Sequence, residues 1–160
     1  MNEQRFRYCS RAAAGIAGLL FLMACSSEPD APLLAGEAQY LQYCSSCHGR
    51  DGEGRSSSFP PLKGSEWLAA GPDAIVLIIT QGLRGPIEVA GKTYRGYMPP
   101  MRHVDDREIA AVLEFIGQQW ADWPEPVDPA RVGQLRQQFD AAGVIEGRAG
   151  LDPLLEKVNP

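Results

Sequence analysis

The chain has 160 residues, 44% of them hydrophobic, enough for one domain with a real core and a tail. A formal charge of −5 at pH 7 argues against a general nucleic-acid binder.

Taken in chain order, Arg5, Arg7 and Arg11 come first, followed by the apolar run AAAGIAGLLFLMA and then Cys25. A basic start ahead of a short apolar stretch has the form of an export signal. The run is about 13 residues long, short of the roughly 20 that cross a bilayer as a helix. Nothing polar interrupts it to give a buried N-terminal helix an outer face. Leu22-Met23-Ala24-Cys25 with Ser26-Ser27 resembles a bacterial lipoprotein signal, in which the cysteine is acylated and becomes the first residue. That resemblance implies removal of residues 1–24, a flexible tether at 25–32, and membrane attachment through Cys25, where several acyl chains hold far better than one. The expected location is the bacterial cell envelope, on its periplasmic or extracytoplasmic face. The processed chain would carry 12 basic and 19 acidic residues, formally −7, and only two histidines (His48, His103) and two methionines (Met98, Met101).

Leu33 to Tyr43 is apolar-periodic and predicts a first helix running into Cys44-Ser45-Ser46-Cys47-His48, after which the chain is rich in glycine. A redox CxxC calls for a helix that starts at the first cysteine in a βαβ setting. A structural zinc needs four ligands, and no second paired motif supplies them. A disulfide between Cys44 and Cys47 leaves His48 without a role. Covalent haem accounts for all three residues. Thiols one helical turn apart each add to a vinyl group on the same porphyrin edge, and the adjacent imidazole is aimed at the iron. CxxCH is the signature of this attachment.

Further motifs follow at intervals: Phe59-Pro60-Pro61-Leu62-Lys63-Gly64-Ser65, Ile79-Thr80-Gln81-Gly82, Val89-Ala90-Gly91-Lys92-Thr93-Tyr94 and Met98-Pro99-Pro100-Met101. Pro72–Thr80 predicts a short middle helix. Asp105–Gln119 predicts a last one, with Asp105 and Glu108 at capping-box spacing and Ile109, Val112, Leu113 and Ile116 on one face. Together with Gly36 and Tyr40, these motifs make Leu33–Gln119 resemble a class I cytochrome c domain throughout. The fold this implies is all-α, with small helices wrapped around one covalently attached haem c.

The resemblance also implies roles for particular residues. Met98, in a loop ahead of a helix, stands where the family has its second iron ligand, with Met101 as an apolar filler and His103 as the alternative ligand. Thioether ligation raises the potential relative to imidazole. Pro60 stands where the family supplies the carbonyl that orients the ligating histidine. Tyr94, Trp67 and Arg84 are candidates for bonding the haem propionates or packing its edge. Gly36 and Phe115 stand where the first and last helices cross.

Trp123-Pro124-Glu125-Pro126-Val127-Asp128-Pro129 reads as a break, giving a haem domain at 33–120, a Pro-rich linker at 121–129 and a C-terminal helix and tail at 130–160. Asp128 caps that helix, Pro129 suits its first position, and Val132, Leu135 and Phe139 form its stripe. From Cys44 to Val104 there are seven basic and five acidic residues; from Asp105 onward, eleven acidic and five basic. A mildly basic haem edge would steer the chain toward an acidic redox partner. The function expected is a membrane-tethered carrier of single electrons between redox protein partners, and not an enzyme. The alternatives are a haem c subunit docked permanently to a larger dehydrogenase or reductase, an enzyme or gas sensor in which Met98 dissociates, and a lipoprotein without haem.

Overall fold

Gly36 decides where the first helix starts. Its φ of +76° is left-handed, so the helix expected from Leu33 begins only at Glu37 and runs to Tyr43 as α1. The computed structural model describes residues 34–158. The signal expected at 1–24, the tether at 25–32 and Cys25 lie outside the described residues. After a break at Cys44 the chain becomes helical again for one turn, α2 (Ser45–His48), so the CxxCH motif rides on a helical turn.

α3 (Pro72–Gln81) starts with Pro72, whose missing N–H has no partner to lose there. Ala74 through Gln81 are buried all round, as in a central helix. α4 (Asp106–Ile116) starts on the capping box: Asp105 accepts from Glu108 N–H at 2.8 Å, and Glu108 reaches back to Asp105 N–H at 3.4 Å. Past Ile116 the helix widens into a π-helical turn, Gly117–Ala121, instead of continuing to Gln119 as α-helix. α5 (Pro129–Gln138) is capped by Asp128 and buries Val132 and Leu135, with Phe139 buried just past its end. α6 (Gly147–Val158) follows and buries Leu151.

The all-α expectation needs correction. Between α3 and α4 lie four short strands, β1 (Leu83–Arg84), β2 (Ile87–Val89), β3 (Lys92–Tyr94) and β4 (Tyr97–Met98); β5 (Ile145–Glu146) comes from beyond α5. β2 and β3 form a hairpin with Ile87 opposite Tyr94. β1 is the middle strand of three, antiparallel to β4 with Leu83 opposite Met98, and parallel to β5 with Leu83 opposite Ile145. Strands of two or three residues are too short for alternation to declare itself, which is why helical periodicity dominates the sequence.

The crossing of α1 and α4 differs in detail from the one implied. A Cβ on Gly36 would lie 1.8 Å from the Ala111 carbonyl oxygen, so Gly36 meets the backbone of Ala111. Phe115 instead packs on Tyr40 with ring centroids 5.1 Å apart, and Trp120 stands edge-on to both at 5.3 and 5.5 Å. One continuous core joins Tyr40, Leu77 and Leu113 to Leu135, Ile145 and Leu151.

Candidate functional site

Under these helices the chain leaves a large apolar cleft. It encloses about 1010 Å³ of empty space, part of it open to solvent. α2 and the residue before it supply Cys44, Cys47 and His48 to its wall. α3 adds Ile75, Ile78 and Ile79, at i, i+3 and i+4 on one helix face. The strands add Leu83, Ile87, Val89, Tyr94 and Met98, so Met98 reaches the same cavity as the CxxCH motif from a separate element.

His48 is held by its own loop. The ring Nδ1 lies 2.9 Å from the Pro60 carbonyl oxygen. A carbonyl can only accept, so Nδ1 carries the proton and Nε2 keeps a free lone pair, the form that binds a metal. Backbone bonds close the loop that carries that carbonyl, among them Gly54 N–H to His48 O at 2.7 Å, Arg55 N–H to Phe59 O at 2.9 Å and Leu62 N–H to Gly52 O at 2.8 Å. Burial lowers the pKa of His48, against the opposing pull of the Pro60 carbonyl, and so favours the neutral ring. Behind the motif, the Tyr40 hydroxyl donates to Gly49 O at 2.7 Å and pins the end of α2 to α1.

Cys44 and Cys47 form no disulfide with each other, and burial, followed by the neighbouring Cys47, pushes the Cys44 thiol up to about 12. A redox dithiol needs the opposite shift. Among the described residues no three His, Cys, Asp or Glu side chains converge on one point, so the donors for a structural zinc are not assembled there. What the cleft offers is two thiols, an imidazole oriented by a carbonyl, a thioether and an apolar lining. That donor set fits haem c.

The other expected residues sort differently. Met101 packs against the core outside the cleft lining, its N–H bonded to Ile79 O at 2.8 Å. His103 is exposed, its ring 6.3 Å from that of Tyr43, and it does not line the cleft. Trp67 lines the cleft, but its indole N–H donates to Glu88 O at 2.8 Å and the Arg148 guanidinium lies 5.1 Å over its ring, so it can pack an edge and has no donor left over. Arg84 lines the mouth with its Nε donating to Glu146 at 2.6 Å, a partner from the C-terminal segment. Tyr94 is buried in the lining, with the Lys92 ammonium 5.2 Å over its ring. Sequence reasoning missed Tyr97, 55% exposed beside Met98, and the α3 isoleucines. The latter had a signal in the apolar run of Ile75 to Ile79, which reads equally well as plain core.

A helical domain that converges two thiols, an imidazole and a thioether on one apolar cleft is built as a c-type cytochrome. Residues 31–116 match the family model described as cytochrome c oxidase, cbb3-type, subunit III. The chain belongs to this cytochrome c family. It is 40% identical over 92 residues to cytochrome c-552 of Thermus thermophilus, covering 55% of this chain and 70% of that protein. A second cytochrome c-552 from T. thermophilus shows the same identity over 62% of its own length. "Alcohol dehydrogenase (quinone), cytochrome c subunit" of Gluconobacter oxydans is 30% identical over 106 residues, 64% of this chain but only 22% of that protein. The cofactor is therefore covalently bound haem c with its iron, and the domain serves electron transfer.

Proposed function

We propose that the protein carries single electrons between redox protein partners while tethered to the cell envelope, outside the cytoplasm, through an acylated Cys25. Cys44 and Cys47 would make the thioether links, and His48 and Met98 would be the protein ligands to the iron. When bound, haem c supplies the one-electron Fe(III)/Fe(II) couple. The observation that carries the reading is that Met98, fixed in β4 opposite Leu83, lines the same cavity as Cys44, Cys47 and His48. If His48 and Met98 both ligate it, the metal would have no position for a substrate, which favours a carrier over an enzyme. The apolar walls keep water off the metal, and Pro60 holds the imidazole in one orientation.

Mass spectrometry of the mature protein, from cells able to attach haem, tests the covalent parts. The expected mass is that of a chain starting at acylated Cys25 plus one haem. A mass lacking the haem removes the whole reading; one lacking the lipid removes the tether alone. For the ligand, the methionine–iron charge-transfer band should be present in the oxidised wild type and absent in Met98→Ala. Its persistence would move the ligand elsewhere.

The resemblance to the Gluconobacter protein, named as a subunit, supports a second reading, a haem c subunit docked permanently on a larger dehydrogenase or reductase. That reading expects co-purification with a catalytic subunit in mild detergent, where a free carrier runs alone.

A further inference from the structure

The family match ends at residue 116, and α5, β5 and α6 lie beyond it. This added segment holds the stretch that carries Met98 from both ends. Upstream, β4 is one edge of the three-stranded sheet and β5 the other, so Met98 and Ile145 flank Leu83 at one register position. Ile145 N–H also bonds Gly82 O at 3.1 Å. Downstream, Arg102 donates to the Asp140 carboxylate, to the Asp140 carbonyl at 3.2 Å and to Gln81 Oε1 at 3.1 Å. Gln81 is 1% exposed, so this anchor reaches into the core. Arg136 donates to Val104 O at 2.8 Å and Arg102 O at 3.4 Å while its Nε bonds Asp106 at 2.8 Å. Its guanidinium thus spans the loop and the start of α4. Buried Leu135 and Phe139 fix α5 itself, so the contacts are made from a rigid post.

We infer that Arg136 and Asp140 are positioning residues for Met98, and that the C-terminal segment keeps the thioether on the iron and the sixth position closed to outside ligands. A loop free at one end can swing its side chain away; one tied at both ends must break a tie first. An incoming ligand competes with Met98, so its apparent affinity is the intrinsic affinity multiplied by the fraction of time the loop is open. The inference rests on the reading of Met98 as ligand and adds what controls its release.

The test is imidazole binding to the oxidised holoprotein, followed by visible absorption. Met98→Ala should bind imidazole at least about tenfold more tightly than wild type, because nothing competes. Asp140→Asn, which loses an exposed ion pair, should tighten binding by about two- to fivefold. Arg136→Gln, which loses three acceptors, should tighten it by about fivefold or more. Asp140→Glu should restore the wild-type value. Arg131→Gln is the stability control: it cuts the 2.8 Å pair with Asp73, which ties α5 to α3 and not to the loop, and should leave imidazole affinity unchanged. If Met98→Ala leaves affinity unchanged, the ligand assignment fails and takes the inference with it. If Met98→Ala tightens binding but Asp140→Asn and Arg136→Gln do not, the positioning role alone is wrong. Equal tightening by Arg131→Gln would reduce the effect to general destabilisation and also overturn it.

Discussion

Gly36→Ala and Gly91→Ala form a matched pair that separates backbone strain from the close approach of α1 to α4. The two glycines have nearly the same left-handed φ, +76° and +72°, but a Cβ on Gly36 falls 1.8 Å from Ala111 O, whereas a Cβ on Gly91 meets nothing within 4 Å. Both substitutions incur the left-handed penalty of about 1–2 kcal/mol. Both regain about 0.4–1 kcal/mol, because alanine restricts the unfolded chain. Gly36→Ala must in addition push α1 off α4, an overpacking cost of about 1–3 kcal/mol. The expected losses are about 0–1.6 kcal/mol for Gly91→Ala and about 1–4.6 kcal/mol for Gly36→Ala, the upper end of the latter a large share of a typical stability of about 5–15 kcal/mol. Urea unfolding of the holoproteins, followed by far-UV circular dichroism, measures both, with unchanged slopes needed for a fair comparison. Equal losses would refute the reasoning, because they would mean that α1 and α4 do not meet as closely as the geometry has them.

Tyr40→Phe keeps the aromatic packing on Phe115 and Trp120 but strips the donor from Gly49 O, and should lower the urea midpoint by the equivalent of about 1–2 kcal/mol; an unmoved midpoint would show that the bond is dispensable. Glu66 tests the acid response. Its carboxylate accepts from Ala90 N–H at 2.9 Å, and that bond, chiefly, holds its pKa below the ordinary 4.5. The folded value lies below the unfolded one, so the stabilisation is complete above the unfolded pKa and is lost as pH falls through the folded one. Glu66→Gln should therefore lose less stability than wild type on acidification below about 4.5, read as urea midpoints against pH. Parallel midpoint curves for the two proteins would rule out the linkage.

What was legible in the sequence is what short spacing encodes. CxxCH, the Asp105–Glu108 box and the Asp128-Pro129 start each act through neighbours a few residues away, and the structure has α4 and α5 beginning where those signals stand. What was not legible depends on distant partners. β1 is two residues long and exists only because β4 and β5 bracket it, one from the next loop and the other from beyond α5. The sequence offers Arg84 as a candidate for bonding the haem propionates or packing the haem edge, and does not show that the fold brings Glu146 to it from 62 residues away. The left-handed Gly36 shortened α1 for a tertiary reason, the approach of Ala111, which periodicity does not record.

The contacts of His48 and Met98 also bear on why a carrier is the better reading. Neither residue is placed by side-chain packing alone. His48 is oriented through a carbonyl whose loop is closed by backbone bonds, and Met98 sits in a strand paired to the middle of a sheet. Backbone ladders are stiffer than rotamers, so two side chains held this way shift little when the charge at the metal changes. Electron transfer is fast when few atoms must move between oxidation states, whereas binding a substrate at the metal requires one ligand to leave. On the Met98 side the ties run through Arg102, Arg136 and the β5 edge, and release of the proposed ligand would require at least one of them to give way. With His48 and Met98 as the proposed ligands, the polypeptide would be organised to keep both still, which suits the proposed carrier better than catalysis at the iron.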